Sequence, residues 1–558
     1  IISCLASTSP HTEQCLPSVN PVAVQVAATA SSVTSTSANC SGEVISDGDR
    51  QVTERGICWG TSPYPTTNNT HMVKGSGTGT FSCAITQLST GTTYHFRAYA
   101  INSAGTSYGE DVTFTTLSTA PSVTTVSAKN ITSSSATICG EIVSTGGLNI
   151  TQVGFIYQAE NDLEKLFKCT DEIALENSKR ILSAFIDNKV SYTDFADING
   201  YGNYDTGRDK LEAIFATVLG TEDALVRPQI MSGTNALYLT FTALLKHGDT
   251  MISISGKPYD SLQEMVGIIG NSNQSLKALG VHYEQIDLIP SGFDINKIVK
   301  RLAKNDVKLV EIQRSRGYSS RLSLTINQIE EVIKAIRNVN KNVIIMVDNC
   351  YGELVETKEP GHIGANIVVG SLMKNLGGGV ASTGGYVAGD INLIREVAER
   401  LTAPGIGKEL GANFNQINSF LKGVFMAPSA VKNAVKTQMF AAYMLEKLGF
   451  ENVSPKWNDP RTDIIQTVEL KTKDNLVKFT QGIQGASPID SFVHVMPAPM
   501  PGYPFDEVMA SGAFTQGSTI ELSADAPVVE PFTLYMQGGL TYEYGKLGIM
   551  SAISKMRK

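Results

Sequence analysis

Two periodicities divide the chain. In the first 160 or so residues apolar and polar positions alternate, as in Thr92-Thr93-Tyr94-His95-Phe96-Arg97-Ala98-Tyr99-Ala100, which is the two-residue period of strands with one buried face. Further on the spacing becomes helical. Ile329, Val332, Ile333 and Ile336 share one helical face behind Thr325 and Gln328, which stand at capping-box distance. Val343-Ile344-Ile345-Met346-Val347 then follows as an unbroken apolar run, the pattern of a strand covered on both faces in a parallel sheet. Helix followed by buried strand is the repeating unit of an α/β fold. Leu237–Leu245 reads as another buried helix, and Gly248–Ser255 as another strand.

The alternating part contains an internal repeat. Ser37-Ala38-Asn39-Cys40-Ser41-Gly42-Glu43-Val44 aligns with Ser135-Ala136-Thr137-Ile138-Cys139-Gly140-Glu141-Ile142, and Arg55–Trp59 aligns with Val153–Tyr157. A repeat of about 90 to 100 residues made of short strands predicts an all-β sandwich of immunoglobulin or fibronectin type III kind. We expect a leader or linker over residues 1–20, one sandwich over 21–117 and a truncated second copy over 118–160. Half a sandwich leaves apolar faces and strand edges uncovered, so an abrupt join is expected near residues 157 to 162.

Composition removes some function classes. Lys and Arg number 45 against 53 Asp and Glu, a net charge of −8, and no long basic run occurs, which argues against nucleic acid. No apolar stretch approaches the ~18 residues of a membrane span. The seven histidines do not cluster with cysteine at metal-ligand spacing, so no metal is expected. Six of the eight cysteines lie in the first 160 residues. Cys40, Cys58, Cys83 and Cys139 would pair only in an oxidising compartment, with buried free thiols as the alternative. Ile1-Ile2-Ser3-Cys4 resembles the end of a bacterial lipoprotein signal with Cys4 as the lipidated residue. That start suggests the cell surface or periplasm, in conflict with the cytoplasm that the family resemblance given below implies for the second half.

The candidate chemistry centres on Lys374, in Gly370-Ser371-Leu372-Met373-Lys374-Asn375-Leu376-Gly377-Gly378-Gly379, 26 positions after Asp348 at the end of the apolar run. An acid ending one strand and a lysine beside a glycine run just after the next is the layout of a pyridoxal phosphate (PLP) site. The lysine would form a Schiff base and the acid would hold the pyridine nitrogen protonated. A desolvated lysine in a cationic setting is expected to have a lowered pKa. Ser232-Gly233-Thr234 opens the helix at 237–245 and offers backbone N–H groups and hydroxyls to a phosphate; an ordinary N-cap is the plainer reading. Tyr259, after the next strand, stands where it would stack on the pyridine ring or serve as core.

These segments, with Gly200–Glu212, Arg227–Ala236, Val347–Glu353, Arg461–Gln466 and Gln537–Glu543, resemble the aluminium-resistance or methionine gamma-lyase-like family of PLP enzymes over residues 162–558. The resemblance implies a fold-type-I α/β transferase, with a large PLP-binding domain over 161–400, a small C-terminal α+β domain over 401–558, and a homodimer or dimer of dimers. It places the cofactor on Lys374, Asp348, Ser232, Gly233, Thr234, Ser371 and Tyr259, with Tyr204 and Arg208 reaching the phosphate of a neighbouring subunit. It implies a carbon–sulfur lyase acting on a sulfur amino acid, with Lys374 as base and Tyr204 or Tyr259 assisting the leaving group. The stretch Gln516–Ser523 lacks the arginine that better-known gamma-lyases use for the substrate carboxylate. Arg461 is therefore a candidate, with Arg314 and Arg316 as rivals. Another fold-type-I reaction, such as transamination, would share these residues. An adhesion or scaffold protein with an inert enzyme half is the rival from a different class. Gly91–Asn102 resembles the late strand of fibronectin type III modules on bacterial surface proteins.

Overall fold

The computed structural model describes residues 24–25, 30–129, 137–150, 159–500 and 505–556. The expectations for the 1–20 leader, for Cys4, for the Cys139 side chain and for residues 157 and 158 of the join lie outside them. The chain forms two compact units, residues 1–155 and 156–558.

In the first unit, alternation builds two antiparallel sheets. One joins Val24–Gln25, Ala38–Val44 and Gly79–Ile85; the other joins Thr70–Val73, Glu54–Gly60, Thr93–Asn102 and Gly105–Tyr108, with Val112–Thr115 paired to Thr93–Asn102. Inward residues of both sheets, among them Cys40, Cys83, Ile57, Trp59 and Phe96, form one core. Cys40 and Cys83 sit directly opposite on paired strands and, like Cys58, are free thiols. Ser122–Lys129 pairs with Thr137–Ser144 as a separate hairpin. Val123, Ile142 and Val143 on it are exposed.

The second unit, whose elements are numbered here, is built on a seven-stranded sheet. Its strands are β1 (Asp223–Arg227), β2 (Thr250–Ser253), β3 (His282–Gln285), β4 (Leu309–Gln313), β5 (Ile344–Asp348), β6 (Ile367–Ser371) and β7 (Gly385–Gly389), in the order β1-β7-β6-β5-β4-β2-β3. β2 to β6 pair in parallel, and β7 runs antiparallel between β1 and β6. Alternate residues feed two cores: Val310, Ile312, Ile345, Val347 and Val368 join one, and Leu309, Ile344, Met346, Ile367 and Val369 the other. This is why the apolar run at 343–347 carries no alternation.

Seven helices matter for the site: α1 (Ala159–Asp187), α2 (Thr206–Leu219), α3 (Gly233–Leu244), α4 (Ile326–Val339), α5 (Ile417–Lys447), α6 (Lys473–Gly485) and α7 (Tyr542–Met556). In α4 the Thr325–Gln328 capping box is formed, and Ile329, Val332, Ile333 and Ile336 are buried, as their spacing predicts. α1 packs along α5.

A second sheet carries β8 (Val453–Ser454), β9 (Ile465–Glu469), β10 (Ala498–Pro499), β11 (Asp506–Ser511), β12 (Ser523–Pro527) and β13 (Thr533–Gln537), all antiparallel in the order β8-β9-β13-β12-β11-β10. One face, with Val468, Val508, Ala510, Ala524, Ala526, Leu534 and Met536, packs with Leu476, Phe479 and Ile483 of α6 and Ile549 and Ala552 of α7 in a common core. Alternation along the same strands leaves Ile465, Thr467, Tyr535, Gln537, Asp525 and Glu507 on the opposite face.

Candidate active site

Parallel strands end their side chains at a common edge, and there β4, β5 and β6 bring their C-terminal residues together. Gln313 pairs in register with Asp348, and Asp348 with Val369, two residues before Ser371. Asp348 is 4% exposed, and its Oδ1 accepts the Cys350 N–H at 3.1 Å. Burial raises its carboxyl above the ordinary range, opposed by the charge of Lys374.

Beyond β6 the chain turns through Leu372 and Met373 to Lys374 and the glycines. Gly378 has φ +57°, and a Cβ there would lie 2.4 Å from the Gly423 carbonyl of α5. Without side chains, the glycine run lets α5 press against the lysine loop.

Lys374 faces a cavity of about 280 Å3. Its Nζ lies 3.9 Å from the centre of the Tyr351 ring, a cation–π contact. Its amine is raised, opposite to the lowering expected for a desolvated lysine. Burial does push it down, but Cys350, Tyr351, Asp348 and Tyr259 around it outweigh that and favour the charged form. Tyr351 has φ +70°, a conformation bulky residues adopt where surrounding structure imposes it. The turn places its ring across from the lysine immediately after the strand that carries Asp348.

The opposite wall is the start of α3. Ser232 is its N-cap, accepting the Asn235 N–H at 3.1 Å. A Cβ on Gly233 would sit 3.1 Å from Cys350 Sγ and 3.2 Å from Ser371 Cβ, so the helix N-terminus comes down directly beside β6. Tyr259 shares a hydrogen bond with Thr234 at 3.2 Å between oxygens, and its N–H donates to Gln313. Burial and then the Asp348 charge raise its phenol well above the usual value.

Ser232, Gly233, Thr234, Tyr259, Asp348, Ser371 and Lys374 therefore line one cavity. A pyridoxal phosphate fits this set. The buried acid and the lysine serve its ring, and the N–H groups and hydroxyls at 232–234, together with Ser371, serve its phosphate.

Five candidates do not line the cavity. Tyr204 is 92% exposed. Arg208 is buried and donates to the carbonyls of Gly202, Glu409 and Gly411. Arg461 donates to Gln466 Oε1 and the Lys456 carbonyl. Arg316 lies between the cavity-lining Ser315 and Gly317; its Nη1 donates to Ser454 and Thr467, while its buried Nε and Nη2 have no partner. Arg314 is held by Asn349 and Glu356.

Sequence reasoning assigned no role to Tyr351, Cys350, Gln313, Asp525, Tyr535 or Gln537, which line the same cavity. Period-two alternation in Thr533-Leu534-Tyr535-Met536-Gln537 was the available signal for the last two.

The methionine gamma-lyase family model matches residues 152–557. Bacillus subtilis YnbB, an uncharacterised protein, is 45% identical over 400 residues, covering 72% of this chain and 95% of its own. A candidate cystathionine beta-lyase involved in aluminium resistance from Clostridium acetobutylicum is 46% identical in sequence. Its structure superposes with a TM-score of 0.69 over 71% of this chain and 93% of its own. A carbon–sulfur lyase involved in aluminium resistance from Clostridium novyi is 44% identical, with a TM-score of 0.68 over 71% and 94%. The chain belongs to the methionine gamma-lyase family of carbon–sulfur lyases, through its second unit.

Proposed function

We propose that the second unit is a PLP-dependent lyase that cleaves the carbon–sulfur bond of a sulfur amino acid, releasing a thiol, a keto acid and ammonia with consumption of water. The observation that carries this reading is the convergence of Lys374, Asp348 and the Ser232-Gly233-Thr234 helix start on one cavity. Bound there, the cofactor supplies an electron sink for the substrate's α-carbon.

The chain's own residues do the rest. Lys374 Nζ would hold the cofactor covalently and, as a free amine, would take the α-proton as general base. Asp348, buried at the end of β5 and accepting the Cys350 N–H, would keep the ring nitrogen protonated. Ser232, Thr234, Ser371 and the N–H groups at the start of α3 hold the phosphate. Tyr259 would stack on the ring, and its hydroxyl, beside that of Thr234, would donate a proton to the departing sulfur. Arg316, flanked by lining residues and with two unpartnered donors, suits the substrate carboxylate better than Arg461 does.

The same reading includes a homodimer. Tyr204 projects outward and is free to reach a second copy, whereas Arg208 is committed to its own backbone carbonyls.

Protein loaded with pyridoxal phosphate should show visible absorbance and, after borohydride treatment, retain the cofactor on the peptide that contains residue 374. A panel of sulfur amino acids should release keto acid and ammonia without an amino-acceptor. Lys374→Ala should lose the absorbance, the trapped adduct and turnover; retention of all three would remove the assignment. Release that requires a second keto acid would instead indicate transamination.

A further inference from the structure

The residue that follows Lys374 is tied to the residue that faces it. Asn375 is fully buried, and its Nδ2 donates to two carbonyls of the turn after β5, that of Tyr351 at 3.0 Å and that of Glu353 at 2.8 Å. The Ile464 N–H, just ahead of β9, donates to the same Tyr351 carbonyl at 3.2 Å. These bonds hold Tyr351 at φ +70°, where a bulky residue is strained unless its surroundings impose the conformation. The turn brings the Tyr351 ring under Lys374, whose Nζ sits over it 3.9 Å from the centre. Lysine, neighbouring amide and aromatic turn thus close a circuit around one nitrogen.

Glycine or asparagine at 351 would relieve the backbone, so the turn keeps a bulky ring at an energetic cost. The face of an aromatic ring attracts an ammonium, most strongly where water is excluded. Asp348, Cys350 and Tyr259 also face the amine, and Glu353 senses its charge. Among the described residues, the ring face beneath it belongs to Tyr351. When the free amine takes the α-proton, the C–H bond gives its proton to Nζ and leaves its electron pair on the substrate. The nitrogen therefore ends as an ammonium. A contact that strengthens as this charge develops lowers the barrier, whereas one equally strong before and after does not.

Resting on the lyase reading for its part in turnover, we propose that Tyr351 is a further catalytic residue, its ring face seating the Lys374 ammonium formed on proton abstraction, and that Asn375 is the positioning residue that sets the ring. The seat also acts in the cofactor-free protein. There it holds the amine protonated and slows any reagent that needs the free base.

The test grades the ring while keeping its shape. Tyr351 is replaced by phenylalanine and then by mono-, di- and trifluorinated phenylalanines, which draw electrons from the ring face; Tyr351→Leu removes the ring. Lys374 of the cofactor-free protein is acylated with a small reagent at about pH 8, and the peptide containing it is read by mass. The rate should stay within about twofold for Tyr351→Phe, rise stepwise with fluorination and reach about tenfold in Tyr351→Leu, the equivalent of one pH unit of lost proton affinity. Asn375→Ala should raise the rate in the same direction, with no further rise in the double variant Tyr351→Leu/Asn375→Ala. In the PLP-loaded protein, exchange of the α-proton of L-norleucine, which has no sulfur to cleave, into deuterated water should slow along the same series. Acylation rates flat across the fluorinated series, with thermal midpoints unchanged, overturn the proposal. Failure to release keto acid from any sulfur amino acid overturns the lyase reading instead, and the acylation series, which needs no cofactor, still decides whether the ring seats the ammonium.

Discussion

Glu311 lies on β4, fully buried, two residues before the cavity-lining Gln313. Burial pushes its carboxyl up to about 7; the Ser253 hydroxyl draws it back, and the Asp348 charge pushes it up again. Its ordinary value is 4.5, so between about pH 4.5 and 7 the folded state binds the proton more tightly than the unfolded chain does. Stability therefore falls as pH rises through that window and levels off above it. Glu311→Gln should flatten the decline in thermal midpoint between pH 5 and 8 relative to the unaltered protein, with its largest gain at the alkaline end. An equal decline in both would show that the carboxyl is not held neutral. Residues such as Asp348, Lys374 and Ser232 were legible in the sequence because each sits at a fixed offset from an apolar run or a turn. Tyr351, Asp525 and Gln537 were not. Their meeting with Lys374 depends on a left-handed turn and on strand register, neither of which local composition encodes.

Between elements, the decisive contact is α5 against the lysine loop. Gly423 lies inside that helix, where alanine would ordinarily be favoured by about 1 kcal/mol. A Cβ there would meet the Gly377 carbonyl at 2.5 Å, closer than atoms tolerate. Gly423→Ala should therefore lower the thermal midpoint despite its better helix propensity, and should weaken cofactor retention by moving the loop that carries Lys374. A rise in midpoint with unchanged retention would show that the contact is slack. The helical period of α4 and the dry strand β5 could be read directly, because each is a repeated pattern over many residues. The position of β7, inserted antiparallel between β1 and β6, could not. Pairing between distant segments depends on contacts that no window of sequence contains.

For the molecule as a whole, the change of period near residue 160 coincides with the division into units 1–155 and 156–558. Every residue lining the cavity belongs to the second. A protein starting at residue 156 should bind pyridoxal phosphate and turn over sulfur amino acids as the full chain does, measured by cofactor absorbance and keto-acid release. Loss of both would show that the N-terminal unit is needed for the site.

The small sheet carries two messages on one set of strands. Its even and odd positions meet different neighbours, a hydrophobic interior on one side and the cavity that holds Lys374 on the other. Substitution at Ile465, Asp525, Tyr535 or Gln537 therefore reshapes the cavity wall, while the intervening positions keep the core.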